Sequence, residues 1–145
     1  MDYIFFVVKN KKAKGSGNER ELFHMLWENS WACVRIAGSG STTKPAPDLL
    51  AGNSNRKIAI ECKSLKGEKQ YFEKKEIEDL LEFSKTFGAE AWVGVRFDHV
   101  GWRFLLAENL TKTKGENFVA SFDFLEKNGM KFEELIGKFK QERLI

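Results

Sequence analysis

Hydrophobic positions recur at helical spacing in three stretches of the chain. In the first, Leu22, Phe23, Leu26 and Trp27 are separated by three and four residues, which places them on one face of a helix. The preceding residues 16–19 have serine at the N-cap position and glutamate three positions later, the capping-box pattern that opens a helix. We therefore predict a helix that starts at about residue 16 and ends near residues 29 and 30.

The second stretch predicts a helix over residues 73–87, with Gly88 at the position that stops it. Its predicted inner side carries Ile77, Leu80, Leu81 and Ser84. The third stretch predicts a helix over about residues 131–142, whose apolar face consists of Phe132, Leu135, Ile136 and Phe139.

Segments that are rich in β-branched and aromatic residues, or that alternate between apolar and polar, predict strands. They cover residues 1–8, 31–36, 48–51, 57–62, 91–97, 102–107 and, more briefly, 118–120. Turn-forming residues at 52–56 join two of these strands into a β-hairpin, whereas residues 66–70 form a polar, basic link. The sum is an α/β fold, a mixed central sheet flanked by helices in a single domain.

The length of 145 residues fits one domain. We place it at residues 14–145, after an N-terminal extension at 1–13 that is β-prone and then basic. No apolar run approaches the ~20 residues that span a bilayer, so we expect an intracellular, cytoplasmic protein without membrane contact. Cys33 and Cys62 are interpreted as reduced thiols in or near the core, with an opportunistic disulfide as the alternative.

The net charge is only +3, but it is unevenly distributed along the chain. Residues 1–75 carry +6, and residues 76–145 carry −3. A basic half favours a polyanionic partner such as nucleic acid, because lysine and arginine release counterions when they neutralise phosphates. Many solvated surfaces show a similar imbalance, so the charge alone does not decide the point.

Two carboxylates and a lysine coincide on the predicted hairpin. With the turn centred on residues 54 and 55, Asp48 faces Glu61, and Glu61 and Lys63 share one side of their strand. Two opposed carboxylates repel each other unless a hard cation such as Mg²⁺ binds between them. The alternative is structural, a surface ion pair between Glu61 and Lys63 with Asp48 capping a turn.

A metal-dependent phosphodiesterase has a use for each of these residue types. Asp48 and Glu61 would bind Mg²⁺, which polarises a phosphoryl oxygen and activates water. Lys63 would stabilise the charge of the transition state or hold the attacking water. Glu19 is a third candidate ligand if the first helix packs beside the hairpin, although a purely capping role is its alternative. Glu21 is a further alternative, roughly 200° around the helix from Glu19.

The segments that carry these residues resemble, in order, the archaeal Holliday junction resolvases of the PD-(D/E)XK nuclease superfamily. The likeness runs from about residue 14 to about residue 110, with compatible spacings. It is carried by Lys14-Gly15-Ser16, Glu19-Arg20-Glu21-Leu22, Val34-Arg35-Ile36-Ala37-Gly38-Ser39-Gly40, Pro47-Asp48-Leu49-Leu50-Ala51-Gly52, Ile60-Glu61-Cys62-Lys63-Ser64, Leu81-Glu82-Phe83-Ser84-Lys85-Thr86-Phe87-Gly88 and Gly101-Trp102-Arg103-Phe104.

The resemblance implies a restriction-endonuclease-like fold and an endonuclease that cuts four-way DNA junctions with paired, symmetric nicks. It implies Mg²⁺, with Mn²⁺ as a substitute, bound by Glu19, Asp48 and Glu61, and no organic cofactor. It makes Lys63 the transition-state stabiliser and Ser39 a catalytic loop serine, where a plain flexible loop is the alternative. From this likeness and from the local charge, DNA contacts are expected at Lys14, Arg20, Arg35, Lys44 and Lys66.

Members of this family are homodimers, in keeping with the paired cuts that resolution requires on opposed strands. The candidates for the shared surface are Phe83, Phe87, Trp92 and Trp102, with an ordinary core position as the alternative for each. A DNA enzyme of this kind would work at the nucleoid. Two other functions stay open, a nuclease of the same fold that cuts duplex or flap DNA, and a DNA-binding module without catalysis.

Overall fold

The computed structural model describes residues 17–38 and 43–137. Several sequence predictions lie outside these residues: the strand at 1–8 within the extension 1–13, Lys14, the capping serine Ser16, the loop serine Ser39, and the part of the last helix beyond residue 137.

The first helix, α1, covers residues 17–28 and ends in a turn at residues 29–30, as the sequence predicts. Ser30 has a φ of 67°, in the left-handed region that ends a helix. The Trp31 N–H then returns to the carbonyl of Leu26 at 3.0 Å, which turns the chain into the first strand.

The elements that follow α1 in the described part of the chain are, in order, β1 (Ala32–Arg35), β2 (Leu49–Gly52), β3 (Lys57–Leu65), β4 (Lys69–Phe72), α2 (Lys74–Phe87), β5 (Glu90–Phe97), β6 (Gly101–Leu106), a 3₁₀ turn (Ala107–Asn109), β7 (Thr111–Lys112), β8 (Phe118–Ser121), α3 (Phe122–Asn128) and α4 (Phe132–Leu135). None of the helices in the described ranges is both long enough and apolar enough to cross a membrane.

Five strands form the central sheet, in the order β1-β2-β3-β5-β6. The outer neighbours pair antiparallel, whereas β3 and β5 run parallel in the middle, with α2 in the crossover between them. Strands β4, β8 and β7 form a small second sheet. The predicted α/β fold with a mixed central sheet flanked by helices is confirmed.

Helices cover both faces of the central sheet, and residues 58–60 of β3 are buried between them. On one face, Ile58 and Ile60 of β3 belong to a buried cluster that includes the apolar side of α1. On the other face, Ala59 belongs to a cluster with Ile77 and Leu80 of α2. Successive side chains of a strand point to opposite faces, so β3 anchors both layers. This packing holds α1 beside the hairpin that carries the candidate carboxylates.

The structure corrects three predictions about elements. Leu81 is 39% exposed rather than inward-facing, because it lies about 100° around α2 from its buried neighbour Leu80. The predicted link at 66–70 contains the start of β4, whose partner β8 lies far away in sequence. Within the described residues, the helix predicted from residue 131 onward ends at Leu135, because Gly137 takes a left-handed φ of 88°, a conformation that stops a helix. The helix α3 was not predicted.

Candidate active site

The β2–β3 hairpin has the register that the sequence predicts. Leu49 pairs with Ile60, so Asp48, one residue before β2, comes opposite Glu61. The Asp48 N–H donates to the carbonyl of Ile60 at 3.1 Å. Its carboxylate Oδ2 accepts a hydrogen bond from the Cys62 N–H at 2.9 Å. Backbone contacts therefore hold the Asp48 carboxylate against the strand that carries Glu61.

Four of the five predicted catalytic residues line one cavity, and the fifth, Ser39, lies outside the described residues. The cavity has a volume of about 380 Å³ and is formed by α1, the hairpin and β6. Its lining residues are Asn18, Glu19, Asp48, Glu61, Cys62, Lys63, Ser64 and Trp102. Both cysteines are free thiols, the reduced state that the sequence predicts.

Two carboxyl groups of this cavity have pKa values above the ordinary value of glutamate. Burial, followed by the charge and the hydrogen bond of Asp48, raises the pKa of Glu61 to about 9. Burial and the charge of Asp48 also raise the pKa of Glu19, against the opposing hydrogen bond from Arg35. Raised carboxyl pKa values mean that the site disfavours its own negative charge. A cation bound there would reverse this preference.

Glu19 reaches the cavity from the first turns of α1. Arg35, at the end of β1, donates from Nη2 to Glu19 Oε2 at 3.3 Å. One residue before Glu19, the side-chain amide of Asn18 donates to the hydroxyl of Ser64 on β3. These two contacts join the described start of α1 to β1 and to β3, and so place Glu19 beside the hairpin.

Glu21, the sequence alternative to Glu19, belongs to a different contact. Its carboxylate accepts hydrogen bonds from Arg96 Nε at 2.9 Å and from Trp102 Nε1 at 2.8 Å. The hydrogen bond from Arg96 lowers the pKa of Glu21, with a smaller contribution from Trp102, and outweighs the effect of burial. The geometry therefore separates these two carboxylates of α1, with Glu19 in the cavity and Glu21 engaged elsewhere.

Lys63 is ion-paired with a residue that the sequence did not single out. Its Nζ lies 2.7 Å from Glu76 Oε2, in the first turn of α2. Burial lowers the pKa of Lys63, but the hydrogen bond and charge of Glu76, with the charges of Glu61 and Asp48, outweigh it and raise the pKa. Nothing in the sequence pattern linked Glu76 to the hairpin, since its capping position at the start of α2 accounts for it locally.

The predicted DNA-contact residues lie on the surface where the structure describes them. Arg20, Lys44 and Lys66 are exposed, and Arg35 is partly engaged by Glu19. Lys14 lies outside the described residues.

The candidates for a shared surface divide into two pairs. Trp92 and Trp102 are only 4% and 5% exposed and belong to the core of a single chain, which makes them poor candidates for a dimer surface. Phe87 is 47% exposed, and it stacks on the half-buried Phe83 with a ring-centroid distance of 5.4 Å. Of the four candidates, only the aromatic pair on α2 is therefore accessible to a second copy of the chain.

Among the described residues, no group of three or more His, Cys, Asp and Glu side chains is arranged closely enough to hold a metal ion as it stands. Glu19 is drawn towards Arg35, and Asp48 and Glu61 form the close pair of the cavity. Carboxylate oxygens are nevertheless the donor atoms that hard divalent cations prefer. The donor set thus fits such an ion in its chemistry.

Comparison with known families decides what kind of protein carries this cavity. Residues 10–144 match the family model described as archaeal Holliday junction resolvase (Hjc). The chain belongs to this family. The family resemblance that the sequence motifs indicated is therefore confirmed, and the match extends beyond the segments that first carried it.

Similar proteins of the Hjc family come from several organisms. The chain is 39% identical over 132 residues to the crossover junction endodeoxyribonuclease Hjc of Archaeoglobus fulgidus, covering 91% of this chain and 96% of that protein. It is 36% identical over 131 residues to Hjc of Sulfurisphaera tokodaii, covering 89% and 90% of the two chains. It is 32% identical over 137 residues to Hjc of Methanocaldococcus jannaschii, covering 94% and 97%.

A solved structure agrees with the sequence comparison. The fold is similar to that of Archaeoglobus fulgidus Hjc, described as a Holliday junction resolvase from an archaeal hyperthermophile, with a TM-score of 0.79 and 35% identity. The match covers 85% of this chain and 100% of the other. The predicted fold class is confirmed on this independent basis.

Proposed function

We propose that this chain is a Mg²⁺-dependent endonuclease that resolves four-way DNA junctions by paired, symmetric nicks. The observation that carries the proposal is the cavity in which Glu19, Asp48, Glu61 and Lys63 meet, in a member of the Hjc family. A module that only bound DNA would have no use for two half-buried carboxylates that repel each other.

The proposed cation is Mg²⁺, with Mn²⁺ as a substitute, held by Asp48, Glu61 and Glu19. The raised pKa values of Glu61 and Glu19 support this, because both arise from burial beside a like charge. When bound, Mg²⁺ would polarise the scissile phosphate and lower the pKa of a water molecule. An organic cofactor has no part in the proposal.

The side chains of the cavity have distinct tasks in the proposed reaction. The Asp48 carboxylate is oriented by the Cys62 N–H, so one of its oxygens is fixed before any substrate arrives. Lys63 places a positive charge at the cavity wall, where it would stabilise the charge that develops on the phosphate. Ser39, four residues after the end of β1 in the sequence, is proposed as a further catalytic residue.

The DNA backbone would be bound through basic side chains. We propose Lys14, Arg20, Arg35, Lys44 and Lys66 for this task. Phosphate contacts position a protein on DNA without reading sequence, which suits an enzyme that recognises the branch rather than the bases. Arg35 would exchange its contact with Glu19 for a phosphate when the carboxylate binds the cation. With DNA as its substrate, the enzyme would work in the cytoplasm, at the nucleoid.

A homodimer would supply the two sites that paired nicks require, since each cavity cuts one strand. The accessible part of the predicted shared surface is the stacked pair Phe83 and Phe87 on α2. We propose this pair as part of the dimer contact and leave Trp92 and Trp102 in the core.

The test is cleavage of a labelled synthetic four-way junction in the presence of excess linear duplex, with Mg²⁺ and then with EDTA. Asp48→Asn is assayed alongside, and Asp79→Asn, which removes a carboxylate from an exposed ion pair on α2, is the matched control. Paired nicks that need Mg²⁺, resist the duplex and disappear in Asp48→Asn alone support the proposal. Equal cutting of duplex and junction would assign a general nuclease, and binding without cutting would contradict catalysis.

A further inference from the structure

The carboxylate of Glu76 joins the start of α2 to Lys63. Its Oε2 lies 2.7 Å from Lys63 Nζ. Its Oε1 accepts a hydrogen bond from the Glu73 N–H at 3.2 Å, as part of the capping box of α2. The side chains of the ion pair are only 28% and 27% exposed. With both oxygens engaged and limited access to solvent, the carboxylate has a defined orientation.

The helix that carries Glu76 is held in place by packing against the central sheet. Ile77 and Leu80 are buried against the central sheet, with exposures of 0% and 1%. At its other end, Gly88 takes the left-handed conformation and its N–H donates to the carbonyl of Ser84 at 2.8 Å. A negative charge in the first turn is favoured by the helix dipole. The position of Glu76 is therefore set by the fold and not by Lys63.

Lys63 has competing partners within the cavity. It lines the same cavity as Asp48 and Glu61, whose carboxylates attract its ammonium group. A lysine side chain has a long, flexible stem, and its ammonium group can follow whichever carboxylate attracts it. Moved towards Asp48 and Glu61, the ammonium group would occupy the oxygens that a divalent cation needs.

We propose that Glu76 is a positioning residue that holds the Lys63 ammonium group at the α2 side of the cavity. In that place Lys63 faces the substrate phosphate without neutralising Asp48 and Glu61. This inference rests on the proposed function, which gives Lys63 its task in phosphodiester cleavage. Glu76 itself touches neither substrate nor cation in this account, so it acts only through Lys63.

The test compares Glu76→Gln with the natural chain. The amide oxygen of glutamine still accepts the Glu73 N–H, so the start of α2 is retained, while the charge that holds Lys63 is lost. Asp79→Asn again serves as the matched control, since it breaks an exposed ion pair of 2.7 Å on the same helix. Three quantities are measured: the single-turnover cleavage rate at saturating enzyme, the junction Kd in EDTA, and the melting temperature.

We expect the cleavage rate of Glu76→Gln to fall at least tenfold, while the Kd stays within twofold and the melting temperature within a few degrees of the natural chain. In the side-chain ¹⁵Nζ spectrum, assigned with Lys63→Arg, the Lys63 signal should be retained in the natural chain and in Asp79→Asn and broadened in Glu76→Gln. This readout does not depend on activity.

Junction cleavage by the natural chain separates a wrong positioning role for Glu76 from a wrong proposed function. If the natural chain cuts junctions and Glu76→Gln cuts them at the same rate, the positioning role is wrong. A faster Glu76→Gln would also overturn it, because the ion pair would then restrain Lys63. Parallel losses of rate, affinity and melting temperature would reduce Glu76 to a structural residue. If the natural chain does not cut junctions, the proposed function is wrong. The Lys63 spectrum then still tests whether Glu76 holds the Lys63 ammonium group.

Discussion

Helix α1 presents two glutamates, two residues apart, to opposite surroundings. Glu19 belongs to what we call the acid cluster, with Asp48 and Glu61, and its pKa is raised by burial and by Asp48. Glu21 belongs to what we call the clamp, with Arg96 and Trp102, and its pKa is lowered, mainly by the hydrogen bond from Arg96. The same residue type on one helix is thus disfavoured as an anion in one place and favoured in the other.

The two surroundings distinguish a carboxylate that stabilises the fold from carboxylates that lower its stability. In the clamp, the carboxylate accepts hydrogen bonds from Arg96 on β5 and Trp102 on β6, and so fastens α1 to the sheet. In the acid cluster, like charges are buried beside one another, which costs stability in the absence of a cation. Such an arrangement persists at functional sites because activity requires it.

The largest expected effect comes from breaking the acid cluster at Asp48. We expect Asp48→Asn to lower the junction-cleavage rate by on the order of 10²–10³-fold, the usual cost of removing one group that stabilises transition-state charge. Glu21→Gln, which keeps the bond to Trp102, should lower it less than tenfold. The measurement is a single-turnover assay with both variants at saturating enzyme. Equal losses in the two variants would erase the distinction between cluster and clamp.

The next effect concerns the pH dependence of stability in EDTA. The pKa of Glu61 is about 9 in the folded chain and near its ordinary value of 4.5 when unfolded, so the folded state holds the proton more tightly. The free energy of unfolding should therefore be highest below the unfolded pKa and fall as pH rises towards 9. Glu61→Gln should remove the part of this pH dependence that Glu61 causes. Its free energy of unfolding should exceed that of the natural chain by on the order of 2–3 kcal/mol at pH 7.

Urea denaturation of both chains at pH 5, 7 and 8.5 tests this dependence. The difference in the free energy of unfolding between the two chains should widen with pH. Only the natural chain has to keep Glu61 protonated, or to hold its charge in the cavity, at a pH above its unfolded pKa. A gap that stays constant would mean that Glu61 ionises normally, and the strained character of the acid cluster would then be wrong.

The smallest effect should come from the clamp. Glu21→Ala removes a partly exposed ion pair and the partner of Trp102 Nε1, so we expect a loss of about 1 kcal/mol in the free energy of unfolding. Glu21→Gln should lose less, because its amide oxygen still accepts from Trp102. Urea midpoints of the two variants measure the difference, with Asp79→Asn as a surface reference. A gain in stability for Glu21→Ala would place Glu21 with the acid cluster.

The sequence predicted the hairpin and its register because both depend on local rules. Turn residues at 52–56 and alternating apolar positions fix which residues pair, and so place Asp48 opposite Glu61. Strand periodicity placed Lys63 on the side of Glu61, the family likeness favoured Glu19 as the third carboxylate, and the cavity brings all four together.

Contacts between distant segments were beyond the sequence pattern. The choice between Glu19 and Glu21 depends on how α1 is rotated against the sheet, which its own periodicity leaves open to within the width of its apolar face. The pairing of β4 with β8 joins segments far apart in the chain. Glu76 was not singled out from the sequence, and only the packing of α2 on β3 brings it to Lys63.

We propose that Glu19, and not Glu21, is the residue of α1 that binds the cation together with Asp48 and Glu61. Calorimetric titration of the junction-free protein with Mn²⁺ tests it directly, in the natural chain, Glu19→Gln and Glu21→Gln. We predict that Glu19→Gln weakens Mn²⁺ binding by about tenfold or more, a usual cost of losing a group that supports a metal site. Glu21→Gln should bind within twofold of the natural chain. Weakening by Glu21→Gln with unchanged binding in Glu19→Gln would contradict the account.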